Sequence, residues 1–161
     1  MLYEFEIPGH VTRQEWVVYV IIVVNETKER LFYIGKTGDN RDGCNPIISR
    51  IGNHLSHNKI HSQIRNKIKD PTKANFRIAY STFGKYEKKN HETGRIKINQ
   101  LERELNKLMQ AKTAGIKNCS VLNPYKGSGV SKATEIKRQE LLNASDRMVL
   151  EQLATKVMSL I

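Results

Sequence analysis

The stretch WVVYVIIVV, residues 16–24, decides the fold, because it is almost entirely β-branched or aromatic and has no polar alternation. A strand that is covered on both faces has this composition, whereas a strand with one wet face alternates apolar and polar residues. We therefore expect residues 16–24 to form a central strand. The polar run NETKER predicts a turn, and LFYIG, residues 31–35, predicts a second strand that completes a hairpin.

The segment after the hairpin predicts a helix. Asn45 is a typical N-cap, and Pro46 suits the first helical position. Apolar residues then recur every four positions, as Ile47, Ile51 and Leu55. Arg50 and His54 are also four apart and should share the edge beside this stripe, overlooking a cleft.

A second, more basic helix is expected before Asp70-Pro71, with apolar residues at the same spacing: Ile60, Ile64 and Ile68. Arg65, Lys67 and Lys69 surround that stripe. They form either a phosphate-contacting surface or an ordinary solvated helix face, and the pattern does not favour one over the other.

The rest of the chain predicts a third strand and three more helices. Phe76, Ile78 and Tyr80 alternate with polar or small residues, as in a strand with one buried face. A long amphipathic helix from about Thr93 to Lys112 carries Glu102 and Glu104. KGSGVS predicts a linker, and residues 131–161 predict two helices. We expect Ser145 to cap the second, whose apolar face holds Val149, Leu153, Val157 and Leu160.

Composition indicates a single basic domain. The 161 residues include 27 Lys and Arg against 16 Asp and Glu, for a net charge of +11. Such an excess favours a polyanionic partner, with nucleic acid as the leading candidate, although membrane-surface and heparin-binding proteins share it. Cys44 and Cys119 form no CxxC pair, so neither a zinc site nor a disulfide framework is expected. His57, His61 and His91 form no familiar ligand set.

The N-terminus lacks the basic and apolar regions of a secretory signal, and the longest apolar run has nine residues. A membrane-spanning helix needs about 20. We therefore expect a cytoplasmic protein with no membrane partner.

Several residues resemble, in order, the motifs of the GIY-YIG nucleases. They are Tyr19 in VVYVI, the YIGKT run from Tyr33 to Thr37, Arg50 and His54 spaced as RxxxH, Glu102 on a later helix, and Asn123 in LNP. The resemblance covers roughly residues 16–125. Two departures are that Val17 and Val18 replace the family's glycine and isoleucine, and that about three extra residues fall in the hairpin loop, where insertions are tolerated.

The resemblance implies an α/β fold of the α+β kind, with a small three-stranded antiparallel sheet flanked by helices. On this basis residues 1–127 form the nuclease domain and residues 128–161 a C-terminal helical extension. The implied activity is metal-dependent hydrolysis of DNA. Any sequence preference would come from the loops 36–45 and 84–92 and from the C-terminal helices.

The resemblance also implies roles for the matching residues. Tyr19 would take a proton from the attacking water, with its pKa lowered by neighbouring cations such as Lys36. Tyr33 would hold the water or a phosphate oxygen, and Arg50 would grip the scissile phosphate. His54 would donate a hydrogen bond or relay a proton.

The remaining candidates bind metal or substrate. Glu102 would coordinate Mg²⁺ or Mn²⁺, with Glu104 as the alternative. Asn123 would orient backbone or substrate groups. Arg65, Lys67 and Lys69 would contact DNA if their surface is a phosphate-binding one.

The sequence is also compatible with two other functions. One is a basic DNA- or RNA-binding module that has lost activity through the altered first motif, and the other is a helical interaction protein dominated by the C-terminal segment. The wide apolar face of the last helix either packs on the nuclease core or pairs with its copy in a weak homodimer.

Overall fold

The computed structural model describes residues 2–38, 43–58 and 60–161. Residues 39–42, in the middle of one expected specificity loop, and Lys59 lie outside this range. In the described residues the protein is a mixed α/β fold with a four-stranded open sheet. The strands are β1 (Glu15–Val24), β2 (Arg30–Lys36), β3 (Asn75–Lys85) and β4 (Cys119–Val121), in the order β3-β1-β2-β4.

The sheet has β1 in an interior position, as its composition predicts. β1 pairs antiparallel with β2 on one side and with β3 on the other, and β4 adds parallel to β2. The sheet thus has four strands instead of the expected three. The extra strand is only three residues long, too short to show any periodicity in the sequence.

The two faces of β1 belong to two apolar clusters, which explains why the strand lacks polar alternation. One face packs with the helices α2 (His91–Thr113) and α4 (Ala144–Ser159), through Trp16, Val18, Val20 and Ile22. The other face packs with the helix α1 (Ile47–Leu55), through Val17, Tyr19, Ile21 and Val23.

The segment around α1 differs from expectation at its start. Pro46, and not Asn45, is the N-cap residue, because its backbone is extended (ψ 153°) and the helix begins at Ile47. Ile47 and Ile51 are buried against the sheet, as the four-residue spacing predicts, and Leu55 is half-buried.

The prediction of a basic helix between residues 60 and 70 is wrong. The structure has only a short 3-10 turn there, Arg65–Lys67, and Ile60 is 79% exposed although Ile64 and Ile68 are buried. The physical reason lies just upstream. The Ser62 hydroxyl donates to the carbonyl of Asn58, and the Asn58 side chain accepts from the backbone N–H of Ile60. Such bonds compete with helix formation.

The prediction that Phe76, Ile78 and Tyr80 form the buried face of β3 is only partly right, because Phe76 and Tyr80 pack against the second cluster and Ile78 does not. Ala79 is the buried residue, whereas Phe76 and Tyr80 are half-buried and Ile78 is 39% exposed. β3 is an edge strand, with a neighbouring strand on one side only. Its side chains are therefore less covered than those of β1.

The two C-terminal helices are present as predicted: α3 (Lys132–Gln139) and α4. The cap of α4 is Asn143 and not Ser145. The Asn143 side chain accepts from the N–H of Asp146, whose carboxylate accepts in turn from the N–H of Asn143, at 2.8 and 3.1 Å. This capping box satisfies two helix-end donors, and Ser145 is left inside the first turn.

α4 packs on α2 and β3 within the same cluster that covers β1. Its buried apolar residues are Leu150, Leu153, Ala154 and Val157. The prediction that this helix packs on the core is confirmed. Among the described residues, no helix combines the length and the apolar character that crossing a membrane requires.

Candidate functional site

Tyr19 and His54 form the centre of the site. Their elements, β1 and α1, meet in the second apolar cluster. The Tyr19 hydroxyl lies 2.7 Å from Nε2 of His54, and the two residues are 0% and 3% exposed. Two residues that are 35 positions apart in sequence therefore act as one hydrogen-bonded unit.

Gly35 is what makes room for Tyr19. The two residues are partners in the β1–β2 register, and a Cβ placed on Gly35 would meet the Tyr19 ring and hydroxyl at 2.5 Å. Such an approach is too close for any side chain. The glycine of the YIG run thus fixes where the phenol lies.

Tyr33 and Arg50 complete the group around this pair. The Tyr33 ring lies against the imidazole of His54, with centroids 4.5 Å apart. Arg50 is one helical turn before His54 on α1, and its charge is close enough to Tyr19 to favour ionisation of the phenol. Tyr33 and Arg50 are half-buried, so the buried Tyr19–His54 pair has two neighbours that are partly exposed to solvent.

Burial sets the titration of Tyr19. Desolvation raises the pKa of its phenol far above the ordinary value, and the opposing effect of the Arg50 charge is smaller. The expectation that Lys36 lowers this pKa is wrong, because Lys36 is not among the groups that shift it. Tyr19 is therefore a neutral phenol at neutral pH.

Lys36 instead binds Glu102. Lys36 is the last residue of β2 and Glu102 lies on α2, and the ammonium and carboxylate are 2.8 Å apart. The two side chains are 13% and 26% exposed, so the carboxylate is the more accessible partner. This ion pair ties the YIG strand to the long helix at the edge of the site.

Glu104 lies on another face of α2. Its carboxylate accepts from Gln100 at 2.9 Å and from Gln139 at 2.7 Å, and it is 3.3 Å from the ammonium of Lys107. These contacts connect α2 to α3. The structure thus brings the carboxylate of Glu102, and not that of Glu104, into contact with Lys36 at the edge of the site.

Asn123 is held against the YIG strand. Its side-chain amide accepts from the N–H of Ile34 at 3.0 Å and donates to the carbonyl of Ile34 at 2.7 Å. It therefore extends the sheet pairing between Tyr33 and Gly35. This geometry fits the orienting of backbone better than the binding of substrate.

Asn106 is a positioning residue that the sequence analysis missed. It is 4% exposed, and its amide donates to the Asn123 carbonyl at 2.8 Å and accepts from the Tyr125 N–H at 2.9 Å. Buried polar side chains are nearly always hydrogen-bonded, and these two bonds satisfy the Asn106 amide. The available signal was an asparagine on the apolar side of α2, one turn after Glu102.

Of the three basic residues proposed for DNA contact, two bind backbone carbonyls of the chain. Arg65 donates to the carbonyl of Leu55 at 2.9 Å, at the end of α1, and Lys67 donates to that of Leu122 at 2.8 Å. Lys69 is exposed. Arg65 therefore caps α1, and Lys67 holds the segment that precedes Asn123.

The residues present fit a metal held by one carboxylate. Within residues 2–38, 43–58 and 60–161, no three His, Cys, Asp or Glu residues come together as a ligand cluster. Mg²⁺ is commonly bound through one or two carboxylates, with water and substrate phosphates completing its shell. The partly exposed Glu102 carboxylate suits that arrangement.

Comparisons of the chain with protein-family models, with curated proteins and with solved structures found no match.

Proposed function

We propose that this protein is a metal-dependent DNA endonuclease that hydrolyses phosphodiester bonds at a site of the GIY-YIG type. One observation carries the proposal. Residues from β1, β2, α1 and α2 converge on one place, and they are chemically different: Tyr19, Tyr33, Lys36, Arg50, His54 and Glu102. Phosphate hydrolysis needs this variety, because it requires an activated water, charge stabilisation and metal binding.

In this proposal Arg50 binds the scissile phosphate, since its planar guanidinium offers paired donors and keeps its charge. Arg50 is already beside Tyr19, so the phosphate would lie next to the Tyr19–His54 unit. Tyr33, packed on the imidazole, would hold the attacking water or a phosphate oxygen.

In this proposal the raised pKa of Tyr19 argues against a free tyrosinate as the base that activates the water. A free tyrosinate is too costly in a fully buried position. The water proton would instead pass to the Tyr19 oxygen while the phenol proton moves to Nε2 of His54, over the existing 2.7 Å contact. The relay keeps the phenol neutral before and after the step.

Glu102 would hold Mg²⁺ or Mn²⁺, which supplies Lewis-acid stabilisation of the phosphoryl oxygens when bound. Lys36 holds the Glu102 carboxylate at the edge of the site until then. The single carboxylate leaves most coordination positions to water and substrate.

A second function is supported by the same ion pair. If Lys36 holds Glu102 against any metal, the protein is a DNA- or RNA-binding module without catalytic activity. The replacement of the first-motif glycine and isoleucine by Val17 and Val18, both buried, favours this alternative.

Purified protein incubated with supercoiled plasmid distinguishes the two functions. The endonuclease yields nicked or linear DNA with Mg²⁺ or Mn²⁺ and none with EDTA. Retarded but uncut plasmid in every cation condition would support the binding module.

A further inference from the structure

A basic cleft lies between α2, the segment after β4, and α3. It has a volume of about 260 Å³, and the charged and aromatic residues that line it are Arg103, Lys107, Tyr125, Lys126, Glu135 and Arg138. None of these residues has a role in the proposed reaction. The cleft joins the nuclease core to the C-terminal extension.

The charges in the cleft are unevenly compensated. Lys107 has two carboxylate partners, Glu135 at 2.9 Å and Glu104 at 3.3 Å. Within the described part of the chain, Arg103, Lys126 and Arg138 have no ion pair, and Arg103 bonds to the amide oxygen of Gln100 at 3.4 Å. Like charges that converge without a counter-ion repel each other, so an anion between them would be stabilised.

The cleft continues into a groove that leads to the catalytic carboxylate. The groove is lined by Glu102 and Asn123 and shares Arg103, Tyr125 and Lys126 with the cleft. From Glu102 to Lys107 the helix rises about 7.5 Å, and the phosphates of one duplex strand follow at about 3.4 Å along the axis. A strand bound at Glu102 would therefore bring a phosphate about two nucleotides away to the Lys107 end of the cleft.

We propose that this cleft binds a phosphate of the substrate strand that flanks the cut, with Arg103, Lys126 and Arg138 as its ligands. The inference rests on the proposed function and extends it. It makes α3 part of substrate recognition. Arg103 comes from the core and Arg138 from the extension, so the bound strand bridges the two parts of the chain.

Duplex binding in EDTA tests the proposal without depending on cleavage. The variant Arg103→Gln/Arg138→Gln is compared with Lys132→Gln/Lys137→Gln, which removes the same charge from exposed positions of α3 that do not line the cleft. By fluorescence anisotropy, we expect the cleft variant to bind about 10-fold more weakly and its log–log salt slope to fall by about 0.9, the value for one phosphate. The control should change less than about twofold. Equal losses in both variants would overturn the proposal.

A neutral methylphosphonate, moved one position at a time along the duplex, locates the phosphate. For the wild type, one or two flanking positions should weaken binding, and the cleft variant should be insensitive at those same positions. Sensitivity that persists in the cleft variant contradicts the proposal. A second result would also contradict it: inorganic phosphate stabilises the wild type but not the cleft variant, while both bind the duplex equally well. The cleft would then be a site for a free anion and not for a phosphate of the strand.

The two proposals fail separately. A cleft-dependent methylphosphonate effect with no cleavage in any cation rejects the endonuclease and retains the cleft as a nucleic-acid site. Cleavage together with unchanged duplex binding by the cleft variant rejects the cleft alone.

Discussion

The hydroxyl of Tyr19 lies 2.7 Å from Nε2 of His54, with both residues buried between β1 and α1. A strand residue and a helix residue are thereby joined by one buried hydrogen bond. Tyr33 and Arg50 flank it, and Gly35 leaves the space in which the phenol fits.

Tyr19→Phe should abolish most activity while leaving the fold intact. The substitution keeps the ring and removes the hydroxyl that would relay the proton in the proposed reaction, so we expect single-turnover cleavage to fall at least about 100-fold. Loss of a buried hydrogen bond should lower the free energy of unfolding by about 1–3 kcal/mol. Tyr80→Phe, on the half-buried face of β3, is the matched control and should cut normally.

The raised pKa of Tyr19 predicts a loss of stability at alkaline pH. The phenol stays protonated in the folded state above pH of about 10, where it ionises in the unfolded chain. The folded state then holds more protons, so stability falls by up to about 1.4 kcal/mol per pH unit above that value.

Urea unfolding between pH 9 and 11, compared in wild type and Tyr19→Phe, measures this slope. The variant should show the shallower decline. Identical slopes would mean that the Tyr19 phenol ionises as easily in the folded protein as in the unfolded one.

Gly35→Ala should displace Tyr19, because the added Cβ would lie 2.5 Å from the phenol ring. We expect a stability loss of about 1–3 kcal/mol from overpacking, and a loss of cleavage comparable to that of Tyr19→Phe. Gly52→Ala is the control, since nothing lies within 4 Å of the added atom on α1. It should be neutral or stabilise by about 0.5–1 kcal/mol. Full activity in Gly35→Ala would show that Gly35 is not needed to position Tyr19 for cleavage.

The sheet and the long helix were predictable because their signals are local. The uniform composition of residues 16–24 requires cover on both faces, and the packing of β1 provides it. The missing helix after Ser56 was not predictable from apolar spacing, since hydroxyl and amide side chains there capture backbone groups. The cap of α4 is signalled by Asn143 and Asp146, three residues apart, although Ser145 is also a typical N-cap residue.

The candidate site was predictable as a set and not as an arrangement. The order of the motifs along the chain is enough to pick out Tyr19, His54 and Glu102 as candidates. Their burial and their partners, however, depend on tertiary distances. The sequence therefore could not show that desolvation affects the pKa of Tyr19 more than the Arg50 charge does. Nor could it show that Lys36 forms an ion pair with Glu102. Asn106 escaped notice because a buried asparagine resembles any polar residue of an amphipathic helix.

α4 should be essential to the fold. Leu153 is 5% exposed within the main apolar cluster, so Leu153→Ala should cost about 2–5 kcal/mol in the free energy of unfolding. Met148→Ala, at a position 55% exposed, is the control and should cost less than about 0.5 kcal/mol. A chain that ends at Asn143 should lose its cooperative melting transition.

Light scattering on the full-length protein tests the homodimer hypothesis. We expect a monomer, because the chain itself buries most of the apolar face that was assigned to pairing. A dimer would require a contact through other residues, and a folded, active truncated chain would contradict the essential role of α4.

The most direct test of the central claim is plasmid cleavage by wild type, Glu102→Gln and Glu104→Gln across a Mg²⁺ series. Both variants remove one carboxylate charge from α2, but only Glu102 lies beside Lys36, while Glu104 contacts Lys107, Gln100 and Gln139. We predict Mg²⁺-dependent cleavage by wild type, an approximately 100-fold or greater loss in Glu102→Gln, and near wild-type cleavage in Glu104→Gln. Absence of cleavage by the wild type, or loss in Glu104→Gln with full activity in Glu102→Gln, would contradict the account.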